Sequence, residues 1–225
     1  MILTELHFHT AESSRCGKVP VKQGLTMYKE AGYDAVVVTD HFSRNVCGKA
    51  GENHWEQVVE RFLAGYRAAV AEGEKLGLSI FLGMELRFPF DDNDFLVYGL
   101  DEEDLFSHPW LYESCLASVH EQFSRESVAI FQAHPFRSVC SPADPGHIDG
   151  VEILNGNQRH DSHNDLARAW AEEHGLPGIC GSDFHHPEDL TGIGVRLNAL
   201  PVSGRDLARM LTGGEFVRQE SPKRS

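Results

Sequence analysis

The sequence predicts an α/β domain with parallel strands. Short apolar, β-branched runs recur along the chain. Amphipathic stretches with helical spacing separate them, and glycines close several of those stretches. Alternation of strand and helix is the pattern of a parallel sheet whose strands are buried on both faces.

The first run, Leu3–His9, precedes Val21–Ala31, where Leu25, Tyr28 and Ala31 share a helical face and Gly32 supplies a left-handed end. Ala35–Asp40 is the second strand. Residues 42–53 (FSRNVCGKAGEN) have the composition of a loop, either a site mouth or a plain surface connection. Trp55–Leu76 carries Val58, Val59, Phe62, Tyr66, Ala69 and Val70 at helical spacing. Asn53 is placed to cap it, Glu56 completes a capping-box pair, and Gly77 ends it. Strands follow at Ser79–Glu85, Phe95–Leu100, Val128–His134, Val151–Asn155 and Pro177–Asp183. Helices are predicted at Trp110–Arg125, Ser162–His174 (closed by Gly175) and Gly204–Leu211. No low-complexity linker or internal repeat interrupts this order. One domain is therefore expected over residues 1–217, with a polar tail, RQESPKRS, at 218–225.

Composition excludes several functions. The 225 residues include 34 acidic and 20 basic side chains, a formal net charge of −14. That balance disfavours nucleic-acid binding through phosphates. No stretch approaches the roughly 18–20 apolar residues of a membrane span. The first residues, MILTELHFHT, lack the basic region and apolar core of a secretory signal. The cysteines (Cys16, Cys47, Cys115, Cys140 and Cys180) are odd in number, far apart and without a CxxC pair. Reduced thiols in a cytoplasmic protein are expected.

The 13 histidines matter through their phase against the strands. The first strand ends in His7-Phe8-His9, and residues two apart on a strand share a face. The second ends in Thr39-Asp40-His41, the third in Glu85, the fifth in His134, and the seventh in Asp183-Phe184-His185. In a parallel barrel these ends open on one rim. His7, His9, His41, Glu85, His134, Asp183 and His185 would meet there. That is more than one tetrahedral ion needs, and it suits two or three divalent cations with a bridging carboxylate. His54, His108, His120, His147, His163 and His174 show no such phase and read as surface residues; His160 and His186 lie near the rim.

In this order (HFHT at 7–10, TDH at 39–41, an isolated Glu85, AHP at 133–135, GSDFHH at 181–186) the chain resembles the PHP (polymerase and histidinol phosphatase) family over most of its length. The resemblance implies a distorted, TIM-barrel-like barrel of seven βα units with the metal site at the C-terminal rim. It implies phosphoester hydrolysis and the seven metal ligands just named. Asp40 matches the acidic residue before one ligand, suited to orienting a histidine. Two positions depart from the family. Where it often has a His or Asp some six residues after HxH, Arg15 lies nearby. Where it often has a His on the fourth strand, this strand has none, and Asp94 is a candidate substitute.

The expected reaction is hydrolysis of a phosphomonoester of a small metabolite or nucleotide, or of a phosphodiester, by hydroxide generated with the help of Zn, Fe or Mn ions. Arg15, Arg137 and Asn155 are candidate substrate contacts, with Arg159 and Asn157 nearby. His160 and Asp183 are candidates for protonating the leaving oxygen. Two other readings fit the same residues. One is an amidohydrolase-like cleavage of C–N bonds, although no lysine stands near the ends of strands three to five. The other is a metal-binding regulatory domain without turnover.

Overall fold

β1 (Ile2–Phe8) is the hub of the sheet. In this computed structural model, which describes residues 1–52, 54–123 and 128–220, it is followed by α1 (Val21–Glu30), β2 (Ala35–Val38), β3 (His41–Ser43), α2 (Arg44–Cys47) and α3 (Trp55–Leu76). Next come β4 (Ser79–Arg87), β5 (Phe95–Tyr98), α4 (Glu102–Ser107), α5 (Leu116–Phe123), β6 (Ala129–Gln132) and β7 (Gly150–Asn155). The chain continues through α6 (Asn164–His174), β8 (Gly178–Gly181), β9 (Gly194–Leu197), α7 (Gly204–Thr212) and β10 (Phe216–Gln219).

The strands follow the order β10-β9-β1-β2-β4-β5-β6-β7-β8, with β3 added beside β4. The sheet curls into a nearly closed barrel. β9 pairs with Ile2, Leu3 and Thr4 at the start of β1, while Phe8 at its end bridges Phe184, just after β8. Phe184 N–H donates to His7 O, and His9 N–H to Phe184 O, both at 3.1 Å. The Phe8 and Phe184 rings stack 4.9 Å apart on the outer side of this seam, against α1. Burying each phenyl is worth about 1.5–3 kcal/mol. Gly181 permits the approach, because a Cβ there would sit 2.6 Å from His7 Cβ.

The expectation that every strand runs parallel is corrected at β5. It is antiparallel to both β4 and β6. The connection from Arg87 to Phe95 is too short for the crossover of about a dozen residues that a parallel return needs. The consequence for the site is direct: the start of β5, not its end, lies at the rim. Asp94 is therefore at the rim, and Tyr98-Gly99 is at the opposite end.

Other elements differ in detail. The second strand breaks after Val38 and resumes as β3, in register His41↔Glu85. The predicted loop 42–53 contains β3 and α2. α3 begins after His54 without a side-chain cap; Asn53 lies outside the described residues. The helix expected over Trp110–Arg125 is a 3-10 turn at Leu111–Glu113 followed by α5, and Arg125 lies outside the described residues. Arg218 and Gln219, read as the start of a tail, pair with β9, while 221–225 lie outside the described residues.

The barrel interior is layered. Leu6, Val37, Phe81, Leu96, Tyr98 and Phe131 form an apolar cluster, against which α7 packs Leu207, Met210 and Leu211. Beyond it, towards the rim, the buried side chains turn polar: His7, His9, Glu85, Glu152 and Asp183 are all at most 2% exposed. Among the described residues no helix is long and apolar enough to cross a membrane, and the five cysteines are free thiols.

Candidate metal centre

Six strands, β1, β3, β4, β5, β6 and β8, bring side chains to one cluster at the rim. β1 contributes His7 and, one residue past its end, His9. β3 opens with His41, opposite Glu85 of β4. His134 follows β6, Asp183 and His185 follow β8, and Asp94 precedes β5.

Glu85 is the centre. Its Oε1 lies 3.4 Å from His7 Nε2 and 3.1 Å from His134 Nε2. Its Oε2 lies 3.3 Å from His9 Nε2 and 2.8 Å from His41 Nδ1. Asp183 Oδ1 faces His7 Nε2 at 3.6 Å, His9 Nε2 at 3.5 Å and His185 Nδ1 at 3.3 Å. All seven side chains expected as ligands thus converge. His7 Nε2, His9 Nε2 and Glu85 Oε2 are buried and have no hydrogen-bond partner. Uncompensated burial of polar atoms is costly. Three such atoms facing one another fit a cation. The donor atoms of His7, His9 and Glu85 lie within 4.8 Å of one another, as do those of His41, Glu85 and Asp94.

The electrostatics of the cluster follow from this crowding. Burial alone would lower the His7 imidazole, but Glu152, Asp183 and Glu85 outweigh it and hold it well above the usual histidine range. Burial is likewise overcome at His134, raised to about 10 by hydrogen bonds with Cys140 and Glu85. His185 also stands at about 10, through Asp183 and Cys16. Burial would raise Glu85 and Asp183, yet the surrounding imidazoles hold both well below the carboxylate range. Backbone strain marks the same place. His134 and Asp183 take positive φ of 28° and 52°, a conformation that costs a non-glycine residue about 1–3 kcal/mol and persists only where surroundings enforce it.

The PHP domain family matches residues 5–180. This chain belongs to the PHP family. No curated protein matches it. Among solved structures, PsfC from Pseudomonas syringae PB-5123 superposes with a TM-score of 0.63 at 19% identity, over 92% of this chain and 87% of that one. A two-domain protein from Bacteroides vulgatus, containing a predicted PHP-like metal-dependent phosphoesterase, gives 0.62 at 17% identity over 98% of this chain, which spans 65% of that protein. An amidohydrolase from Chromobacterium violaceum, with bound sulfate and no metal, gives 0.53 at 15% identity over 96% and 97%. At such identities the likeness is one of fold.

This PHP domain fixes its donors through residues that the sequence reading missed. Glu152, in the middle of β7, accepts from His7 Nδ1 at 2.8 Å and from His134 N–H at 3.1 Å. The first contact places the imidazole proton on Nδ1 and leaves Nε2 to face the cluster. An acid inside the run Val151-Glu152-Ile153 was the available signal. Asp40 touches no histidine directly. It accepts from Thr10 N–H and Oγ1, each at 2.7 Å, and from Ser14 Oγ at 2.6 Å; Ser14 Oγ then lies 3.4 Å from His9 Nδ1. The segment after HxH turns Cys16, not Arg15, towards the cluster: Cys16 Sγ lies 3.0 Å from His185 Nε2. Burial would raise its thiol, but hydrogen bonds with His185 and His41 bring it down to about 5.

A cleft of about 330 Å³ opens above the donors. Arg87, Arg137, Arg159 and His160 line it together with His41, Glu85, Asp94, His134, Asp183 and His185. Each guanidinium is anchored by an acid: Arg87 on Asp94, Arg137 on Asp183 at 2.8 Å, and Arg159 on Asp189 at 2.9 Å. Asn155 acts as a brace at 4% exposure, donating to Glu152 at 2.9 Å and Asp183 at 3.3 Å and accepting from Arg137 at 3.2 Å. Asn157 donates to the Asp183 carbonyl at 3.2 Å. Arg15 is exposed and lines a different cavity, with Glu12, Val46 and Arg61. His160 is at the mouth; desolvation and the Arg137 cation push its imidazole below the usual range.

Proposed function

We propose that this PHP domain hydrolyses a phosphomonoester of a small metabolite or nucleotide, using divalent cations held by the rim cluster. The observation that carries the reading is Glu85, a buried carboxylate with four imidazole nitrogens between 2.8 and 3.4 Å from its oxygens. His7, His9, Glu85 and Asp183 would hold one ion, and Glu85, His134 and Asp94 a second; His41 and His185 stand beside them. Mixed imidazole and carboxylate ligation suits Zn, Fe or Mn. Bound there, such ions supply Lewis acidity and shift the pKa of water towards neutrality.

The chain's own groups account for the substrate class. Three guanidinium groups line one cleft of a protein with net charge −14. Three such cations around one mouth suit an anion with several oxygens, which arginine binds through paired N–H donors. The acids that anchor them hold each fork in place before substrate arrives, which limits the ordering cost of binding. Asp183 is held ionised, so it ligates and orients Arg137 and does not donate a proton. Of the two residues considered for the leaving group, His160 is the one able to move a proton. Its imidazole is a stronger acid than an ordinary histidine and faces the cleft.

The test is purification without chelator, elemental analysis, and assay of nucleoside monophosphates, sugar phosphates and N-acyl compounds with added Zn, Mn or Fe. Metal-dependent release of inorganic phosphate that disappears in Glu85→Gln is expected. Release of amine without phosphate supports C–N cleavage instead. A metal-loaded protein silent on every compound overturns the enzymatic reading.

A further inference from the structure

We propose that this chain carries a second, non-catalytic binding site in the cavity between the loop after β1 and α3. It takes a small amphiphilic anion: a phosphate, sulfonate or carboxylate head on a short apolar body.

The cavity measures about 330 Å³, at the lower end of the range for small-molecule sites, about 300–1,000 Å³. Val58 and Phe62 stand one turn apart on α3 and are 1% and 6% exposed, so they form its base, with Val46 beside them. Arg15 and Arg61 are exposed and stand at its mouth. Among the described residues neither guanidinium has an acid partner. Elsewhere in this acid-rich chain such groups are taken up: Arg44 by Glu113, Arg67 by Glu60 and Glu102, and Arg209 by Asp206 and Glu215. The three arginines of the catalytic cleft are anchored in the same way. Glu12 also lines the cavity, but its carboxylate is engaged at the start of α1, accepting from Val21 N–H at 3.0 and 3.2 Å. Two guanidinium groups without acids therefore present paired N–H donors to an oxyanion. The base beneath them is apolar, and burying an apolar body against it adds affinity that an inorganic anion cannot gain.

The loop is fixed in place as one wall. Ser13 Oγ donates to Phe62 O at 2.9 Å and accepts from Gly65 N–H at 2.8 Å, which pins it to α3. Gly17 closes the turn, since a Cβ there would lie 2.5 Å from Thr10 O. Arg15 and Cys16 thereby leave the loop on opposite sides, Arg15 to this cavity and Cys16 to the catalytic cleft. The two cavities share no lining residue. On the cleft side Ser14 Oγ meets Asp40 and His9. The loop thus has the second site on one face and the metal donors on the other.

Hexanesulfonate carries both the head and the tail and is not a phosphate ester, so it probes the cavity independently of turnover. Titration calorimetry on the intact chain is expected to show binding in the millimolar range or tighter, weakened at least about tenfold in Arg61→Met. Arg137→Met, which removes a cation from the catalytic cleft, is expected to leave that binding unchanged. Hexanol lacks the charge and methanesulfonate the tail, and each is expected to bind at least about tenfold more weakly. The proposal is overturned by absence of binding to the wild-type protein, by hexanol binding as well as hexanesulfonate, or by binding that is lost in Arg137→Met and kept in Arg61→Met. None of these outcomes touches phosphate release, so failure here is distinct from failure of the catalytic reading. Hydrogen exchange on the unaltered chain guards against misfolded variants. The probe is expected to slow the amides of residues 12–17; unchanged exchange there, or slowing only around His134 and Asp183, overturns the proposal.

Discussion

The inner and outer sides of the donor cluster are built on different principles. On the inner side His7, His9, Glu85, His134 and Asp183 are buried, and most have a neighbour that fixes them: Glu152 for His7 and for the His134 backbone, Arg137 and Asn155 for Asp183, Ser14 for His9. On the outer side His41, Cys16 and His185 are only partly buried and largely contact one another and the inner side. Pre-positioned donors bind without reorganising, while donors that lean on one another must be ordered by the ion itself. The inner side is expected to bind first and exchange slowly, the outer side to follow.

Glu85 joins the two sides, so replacing it is the severest test of whether they are separate. Glu85→Gln keeps the volume but removes the charge that faces four histidines. Metal at the inner side should be lost, and phosphate release should fall at least about 10³-fold. Elemental analysis decides the comparison. If the variant still retains an ion, the sides bind independently; if all metal goes, they are one cooperative unit.

Glu152→Gln sharpens the contrast from the inner side alone. Loss of its charge weakens the hold on His7 Nδ1 and on His134 N–H. Inner-side metal affinity should fall about 10–100-fold. Competition with a chelator of known affinity is the measurement, and an unchanged affinity would show that Glu152 does not position the donors.

These two residues also show what the sequence made legible. The seven side chains that meet at the rim could be picked out because strand ends can be read from apolar runs, and a barrel sends the ends of its parallel strands to one rim. Glu152 escaped because it sits mid-strand, where an acid looks like a mismatch and not like a support. Cys16 escaped because loops carry no period, so Arg15 and Cys16 are equivalent until the turn at Gly17 chooses between them. The direction of β5 was hidden for a related reason. Apolar periodicity is the same read forwards or backwards, and only the short connection from Arg87 to Phe95 betrays the reversal that puts Asp94 on the rim. β9 and β10 were missed because Arg196, Arg218 and Gln219 break their apolar pattern.

Metal uptake should be pH-dependent on both sides. His134 and His185 each stand at about 10 in the cluster, so both carry protons at pH 7. A cation must displace those protons. Loading zinc at pH 7 in weak buffer should therefore acidify the solution, and apparent affinity should rise about tenfold per pH unit for each proton released, falling as pH drops. The Cys16 thiol, at about 5, is already ionised at neutral pH and should add nothing to that release. Proton release that is the same in Cys16→Ser, per ion bound, would agree; an extra proton in the wild-type protein would show that the thiol is protonated before the metal arrives.

The smallest effect tests where the cluster ends. Arg137 Nη2 reaches Asp183, Asn155 and Ser162, and its side chain lines the cleft above the donors. Arg137→Met should raise KM for a phosphomonoester about tenfold, the loss of one charge-assisted contact. Arg15 lies on the same loop as Cys16 yet lines the cavity beside Arg61. Arg15→Ala should leave kcat/KM within about twofold, the range expected of a surface substitution away from the catalytic site. Steady-state assay of the two variants side by side is the check. Equal losses would mean that the loop after His9 swings in when substrate binds, and that the boundary between inner and outer donors moves with it.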